Sequence, residues 1–162
     1  AVYDGDTPLV GVVYDPMRDE CFYASAGGGA FVRYVGNDIP MHVSETDTLL
    51  RSVLSTGYPY DKHTSDLDNV KETAVFLKKS QGIRRIGSAA LDIAYVAAGR
   101  IDGYWEYKLN SWDYGAAVLL VLEAGGRVTM IDGSAVLPLP KAHLLVSNGR
   151  LHPAMQETLD AM

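Results

Sequence analysis

The chain has 162 residues, 48% hydrophobic and 21% charged, with a formal net charge of −6. That is one ordinary domain or two small ones, long enough to bury a core without staples, and the composition excludes disorder, collagen and coiled coil. A pI near 5.1 leaves no basic footprint for nucleic acid or an anionic membrane surface.

The N-terminus opens in strand-like sequence, without Met, basic segment or apolar run, as a piece trimmed from something longer would. Val10 to Tyr14 and Cys21 to Ala24 are β-prone runs flanking a turn at Asp15-Pro16-Met17-Arg18-Asp19. Gly27-Gly28-Gly29 precedes Ala30-Phe31-Val32, and Gly36-Asn37-Asp38 precedes Ile39 to Val43, so the first 45 residues read as a hairpin meander. Cys21 is the one cysteine and reads as a buried, inert thiol; without a disulfide the chain suits a reducing compartment, the cytoplasm.

From Leu49 the pattern changes. Ser52 to Ser55 reads as a buried strand. Ser65 then caps a predicted helix of about four turns, with Leu67, Val70, Ala74 and Leu77 on one face, Asp66 and Asp68 in its first turn and Lys78 and Lys79 in its last. Ala89 to Ala98 and Tyr114 to Ala124 are helices apolar nearly all round, and so buried on more than one side. Strands are expected at Ile101 to Glu106, Val128 to Ile131 and Leu144 to Ser147, with a final helix at Pro153 to Met162. The longest charge-free apolar run, residues 116–122, is far short of the ~20 needed to span a bilayer. The fold class is α/β: an antiparallel meander, then a mixed sheet covered by helices.

Two predicted helix N-termini could carry chemistry. At Gly87-Ser88-Ala89-Ala90 the glycine permits a sharp turn, Ser88 can cap, and the free N–H groups of Ala89 and Ala90 suit an anion or ligand oxygen; an ordinary N-cap is the plainer reading. Asp113 precedes an apolar helix and reads either as its cap or as a ligand for a hard cation such as Mg²⁺, which takes carboxylate oxygens and shares them with phosphate. Glu106 ends a strand, either as a solvated residue or as an acceptor for substrate hydroxyls. His42, His63, His143 and His152 share no metal-like spacing. Gly27 to Gly29 lacks the Lys and following helix of a phosphate loop. Asp4, Asp6, Asp66, Asp68, Asp92 and Asp102 read as solvated.

Trp112-Asp113-Tyr114-Gly115-Ala116-Ala117 followed by Glu123-Ala124-Gly125-Gly126 resembles the C-terminal signature of the inositol monophosphatase family. The resemblance extends in order through Gly11 to Pro16, Thr56-Gly57-Tyr58-Pro59-Tyr60, Arg85 to Asp92, Val96 to Tyr104 and Val146-Ser147-Asn148-Gly149, which is essentially the whole chain. It implies a layered α/β sandwich and a Mg²⁺-dependent, lithium-sensitive phosphomonoesterase, commonly dimeric. By the same resemblance Asp113 is a ligand of the second catalytic metal near the leaving-group oxygen. Gly87, Ser88 and Ala89 line the substrate's hydroxyl side, and Glu106 contacts a sugar or inositol hydroxyl.

The family's Asp-Pro-Ile/Leu-Asp-Gly-Thr metal motif and its upstream Glu are absent, and Asp15-Pro16 is no substitute. Gly115 stands where Ala is common and Asn110 where His or Lys is common. The expectation is therefore a C-terminal portion, inactive alone: residues 1–45 a meander remaining from an N-terminal domain, residues 46–162 an α/β domain. The default substrate is inositol 1-phosphate; fructose 1,6-bisphosphate, NADP and histidinol phosphate are alternatives. A non-catalytic polyol-binding or dimerisation module is the competing class.

Overall fold

The computed structural model describes residues 1–136 and 141–162. The first sheet is an antiparallel meander of β1 (Val2–Asp4), β2 (Thr7–Asp15), β3 (Glu20–Ser25), β4 (Gly29–Tyr34) and β5 (Asn37–Pro40), paired in chain order. Strand alternation buries Val13, Phe22, Ala24, Ala30 and Val32 on one face and turns Val10, Val12, Tyr23 and Phe31 to the other. The second sheet has the order β7-β6-β8-β10-β9. In it β6 (Val53–Thr56) runs parallel to β7 (Gly82–Arg84) and β8 (Gly103–Asn110). The strands β10 (Lys141–Ser147) and β9 (Arg127–Met130) complete it antiparallel.

Helices α2 (Ala89–Ala97) and α4 (Ala117–Glu123) pack between the two sheets, which is why they are apolar all round. Helices α1 (Val70–Lys79) and α5 (His152–Asp160) cover the far face of the second sheet. The period of two along β8 and β10 serves both layers. Tyr104, Leu144 and Val146 enter the core shared with α2, α4 and the meander. Trp105 and Leu145 enter a smaller core with Phe76, Leu151 and Met155. This is the layered α/β sandwich, meander then mixed sheet, that the sequence implies.

The meander is fastened to the helices at specific points. Arg100 donates to both oxygens of Glu20 at 2.7 and 2.6 Å. The amides of Gly27 and Gly29 donate to Glu123 at 2.8 and 2.9 Å, so the glycine run is a hairpin connection that cradles an internal carboxylate. At Gly11 a Cβ would lie 2.2 Å from the Ala116 carbonyl oxygen, so only glycine lets β2 approach the start of α4.

Several expectations need correction. Helix α1 starts at Val70, after Asn69, and not at Ser65. Asn69 is buried: its Nδ2 donates to Thr56 Oγ1 and to the Gly57 carbonyl, and its Oδ1 accepts from Trp105 Nε1. Those bonds hold the residue left-handed (φ 68°) and start the helix there. Asp66 and Asp68 consequently precede the helix. Its buried anchor is Phe76, 4.3 Å from the Trp105 ring, while Leu67, Val70 and Leu77 are exposed. Residues 114–124 are not one helix: α3 (Ser111–Tyr114) starts earlier and a turn at Gly115-Ala116 separates it from α4. Strand β8 runs on to Asn110, so Glu106 lies mid-strand and does not end it. Cys21 is half-buried, on the outward side of β3.

Asp92 and Asp102 are buried rather than solvated. Asp102 is structural, accepting from Ser44 Oγ at 2.5 Å and the Val53 amide at 2.7 Å.

Candidate functional site

Three elements converge on one cavity of about 400 Å³. The first is the start of α2, where Gly87 turns the chain with φ 92°. Ser88 is the N-cap, its Oγ accepting from the Leu91 amide at 3.5 Å. The amides of Ala89 and Ala90 fall among the four that a helix start leaves without intrahelical partners. The second is β8, which supplies Glu106. The third is α3, which supplies Asp113. Gly87, Ser88, Ala89, Glu106 and Asp113 all line this cavity.

Asp113 lies within the helix, at its third position, rather than preceding it. Its Oδ2 accepts from the Asn110 amide at 2.9 Å and from Asn110 Nδ2 at 3.3 Å, in a capping box. The carboxylate therefore caps the helix and borders the cavity at once. Glu106 is fixed from two sides. The Tyr104 hydroxyl donates to its Oε2. Gly57 packs so close that a Cβ there would lie 2.3 Å from Oε2.

Asp92 is the functional candidate that sequence reasoning missed. It lies in the first turn of α2, 2% exposed, and lines the cavity. Its Oδ1 and the neighbouring strand's Ser55 Oγ have no hydrogen-bond partner. Burial, reinforced by the charge of Glu106, raises its pKa to about 7. Burial also raises Glu106, and Asp113 adds to it, while the Tyr104 hydroxyl and Arg85 work the other way. The missed signal was a lone carboxylate in an otherwise apolar helix.

The histidines take no part in the cavity lining. His42 and His63 are exposed. His152 is buried between Thr129 Oγ1 and Ser147 Oγ, both at 2.9 Å. His143 Nδ1 accepts from the Lys108 amide at 3.0 Å.

Asp92, Glu106 and Asp113 line the same cavity, and carboxylate oxygens are the donor type that a hard divalent cation takes. Asp113 offers one such carboxylate at the cavity. Among the described residues no group of three or more His, Cys, Asp or Glu side chains is placed to hold a metal ion.

The model of the inositol monophosphatase family matches residues 1–161. The chain belongs to the inositol monophosphatase family. An inositol-1-monophosphatase of Synechocystis is 42% identical over 156 residues, covering 96% of this chain and 53% of that protein. The Nus factor SuhB of Escherichia coli is 39% identical over 146 residues, covering 90% and 53%. Among solved family structures, an inositol monophosphatase from Anabaena superposes with a TM-score of 0.88 at 41% identity, covering 95% of this chain and 59% of that one. SaIMPase-II with inositol monophosphate bound gives 0.84 at 26% identity, covering 98% and 60%. The chain thus spans between half and three-fifths of the length of these inositol monophosphatase relatives. No described helix is long and apolar enough to cross a membrane.

Proposed function

We propose that these residues form the C-terminal portion of a Mg²⁺-dependent phosphomonoesterase acting on a polyol or sugar phosphate, with inositol 1-phosphate the first substrate to test. The observation that carries the reading is the convergence of the α2 N-terminus, Glu106 and Asp113 on one cavity. The family match and the relatives' names support it. In the intact protein, residues 1–45 would complete an N-terminal domain that supplies further metal ligands, and residues 46–162 would form the α/β domain. We propose a cytoplasmic, dimeric, lithium-sensitive enzyme.

Asp113 would hold the cation. When bound, Mg²⁺ neutralises phosphate charge and stabilises the developing negative charge on the leaving oxygen. The capping box aims the Asp113 carboxylate and keeps it from swinging. The N–H groups at the start of α2 provide partial positive charge for a substrate oxygen. Glu106, held by Tyr104, has Oε1 to accept from a substrate hydroxyl, and so orients the alcohol portion of the ester. Positioning and charge neutralisation are most of what phosphoryl transfer asks of a protein.

The test is phosphate release from inositol 1-phosphate, fructose 1,6-bisphosphate, NADP and histidinol phosphate by the intact protein, with and without Mg²⁺. Activity on at least one ester that vanishes with chelator is expected; metal-independent binding without turnover would favour a polyol-binding module instead. Glu106→Gln should reorder the substrates with little change in Mg²⁺ requirement. An unchanged order with a large rise in Mg²⁺ requirement would make Glu106 a metal ligand.

A further inference from the structure

Strand β8 breaks its pairing beside the cavity. Leu109 pairs with Ala142 and Glu106 with Leu144, so Tyr107 and Lys108 together oppose the single residue His143. This is a β-bulge, a device that re-aims side chains next to functional sites. Lys108 takes φ 62°, a left-handed conformation that favours glycine. Its N–H donates to the His143 ring instead of to a strand carbonyl. The outcome is that Tyr107, Lys108 and Leu109 all border the cavity, where strict alternation would turn Lys108 and its two neighbours to opposite faces.

The Lys108 ammonium is already engaged. It donates to Asp61 Oδ2 at 2.7 Å and Ser65 Oγ at 2.6 Å, and the side chain is only 19% exposed. Both partners belong to the loop joining β6 to α1, whose residues Tyr58, Pro59 and Tyr60 form a cavity wall. The ends of this loop are held by Arg85 stacked over Tyr58 and by the buried Asn69. Its middle bonds mainly to itself: the Lys62 amide to the Pro59 carbonyl, the Thr64 amide to the Asp61 carbonyl and the Leu67 amide to Ser65 Oγ.

We infer that Lys108 is a specificity-determining strap, tying residues 59–68 to the strand that carries Glu106 and thereby fixing the cavity wall against which the alcohol portion of a phosphomonoester packs. Its effect is to favour compact polyol phosphates over bulky aromatic or nucleoside monophosphates. The substrate preference rests on the phosphatase reading above; the strap itself does not.

Two measurements test it. Lys62 is exposed in the middle of the loop, so tryptic cleavage after Lys62 reports loop opening in the folded chain. Lys108→Met and Asp61→Asn should each speed that cleavage about threefold, the scale of a partly exposed ion pair, and Lys108→Arg should restore protection. An unchanged rate in Lys108→Met overturns the strap.

In the intact enzyme, Lys108→Met should raise kcat/KM for a nucleoside monophosphate relative to inositol 1-phosphate about threefold, carried in KM. An equal loss on all esters overturns the inference and makes Lys108 a direct phosphate contact. An intact protein that hydrolyses no ester overturns the phosphatase reading and the substrate preference with it, and cleavage at Lys62 then decides the strap alone.

Discussion

Asp92 sets a pH dependence at the floor of the cavity. Its pKa is raised to about 7 in the folded chain from about 3.9 unfolded. The folded state holds a proton that the unfolded state has released, so this stabilisation is complete below about pH 4 and is lost as pH rises through 7. His152, lowered to about 4 by burial, slopes the other way, losing stability as pH falls from about 6.5 towards 4. Asp92→Asn removes only the first slope. Urea midpoints measured from pH 5 to 8 should fall less in the variant than in the wild type; parallel curves would contradict the buried acid. Ser88, Glu106 and Asp113 were legible in the sequence because their residue types sit at recognisable junctions within a motif. Asp92 was not, because its ionisation depends on both faces of α2 being covered, a fact of layering that a single helix's pattern does not carry.

At the scale of elements, hydrophobic spacing located most strands and both interlayer helices, but it missed the short β7, merged α3 with α4 and misplaced α1. Leu67, Val70 and Leu77 have helical spacing yet stay exposed, because Phe76 docks on Trp105 and Asn69 fixes where the helix begins. A polar residue buried for its hydrogen bonds overrides an apolar stripe. Asn69→Ala leaves Trp105 Nε1 without its acceptor and removes the bonds to the Gly57 carbonyl and to Thr56 Oγ1, which keeps its own bond to the Trp105 carbonyl, and should cost about 3 kcal/mol. Equilibrium denaturation followed by tryptophan fluorescence measures it; a loss under about 1 kcal/mol would mean that the network is replaceable by water. The bulge in β8 was equally invisible, because a lysine gives no warning of positive φ, whereas a glycine there would have.

For the whole molecule, the order is sheet, helices, sheet, helices, and the described residues leave the outer face of the meander bare. Val10, Val12, Tyr23 and Phe31 border a shallow apolar groove there, and Val12 is 49% exposed. Such a face, with strand edges beside it, favours association. A chain of this length should sediment as a species larger than a monomer, and Val12→Lys should shift it towards monomer; a monodisperse monomer at about 100 µM would contradict this. The layers themselves were legible from the switch between period-two strands and all-apolar helices. Their fastening through Glu20, Gly11 and Glu123 was not, because these pairs are far apart in sequence.

The most direct measurement is phosphate release from inositol 1-phosphate by the intact protein across a Mg²⁺ titration, wild type against Asp113→Asn. Asparagine keeps the capping geometry but is a poor ligand for a hard cation. Since even residues that only support a metal ligand are worth 10–100-fold, Asp113→Asn should lower turnover by about 100-fold or more while leaving the denaturation midpoint nearly unchanged. Wild-type turnover in Asp113→Asn at saturating Mg²⁺ would contradict the assignment of this cavity as the metal-dependent phosphatase site.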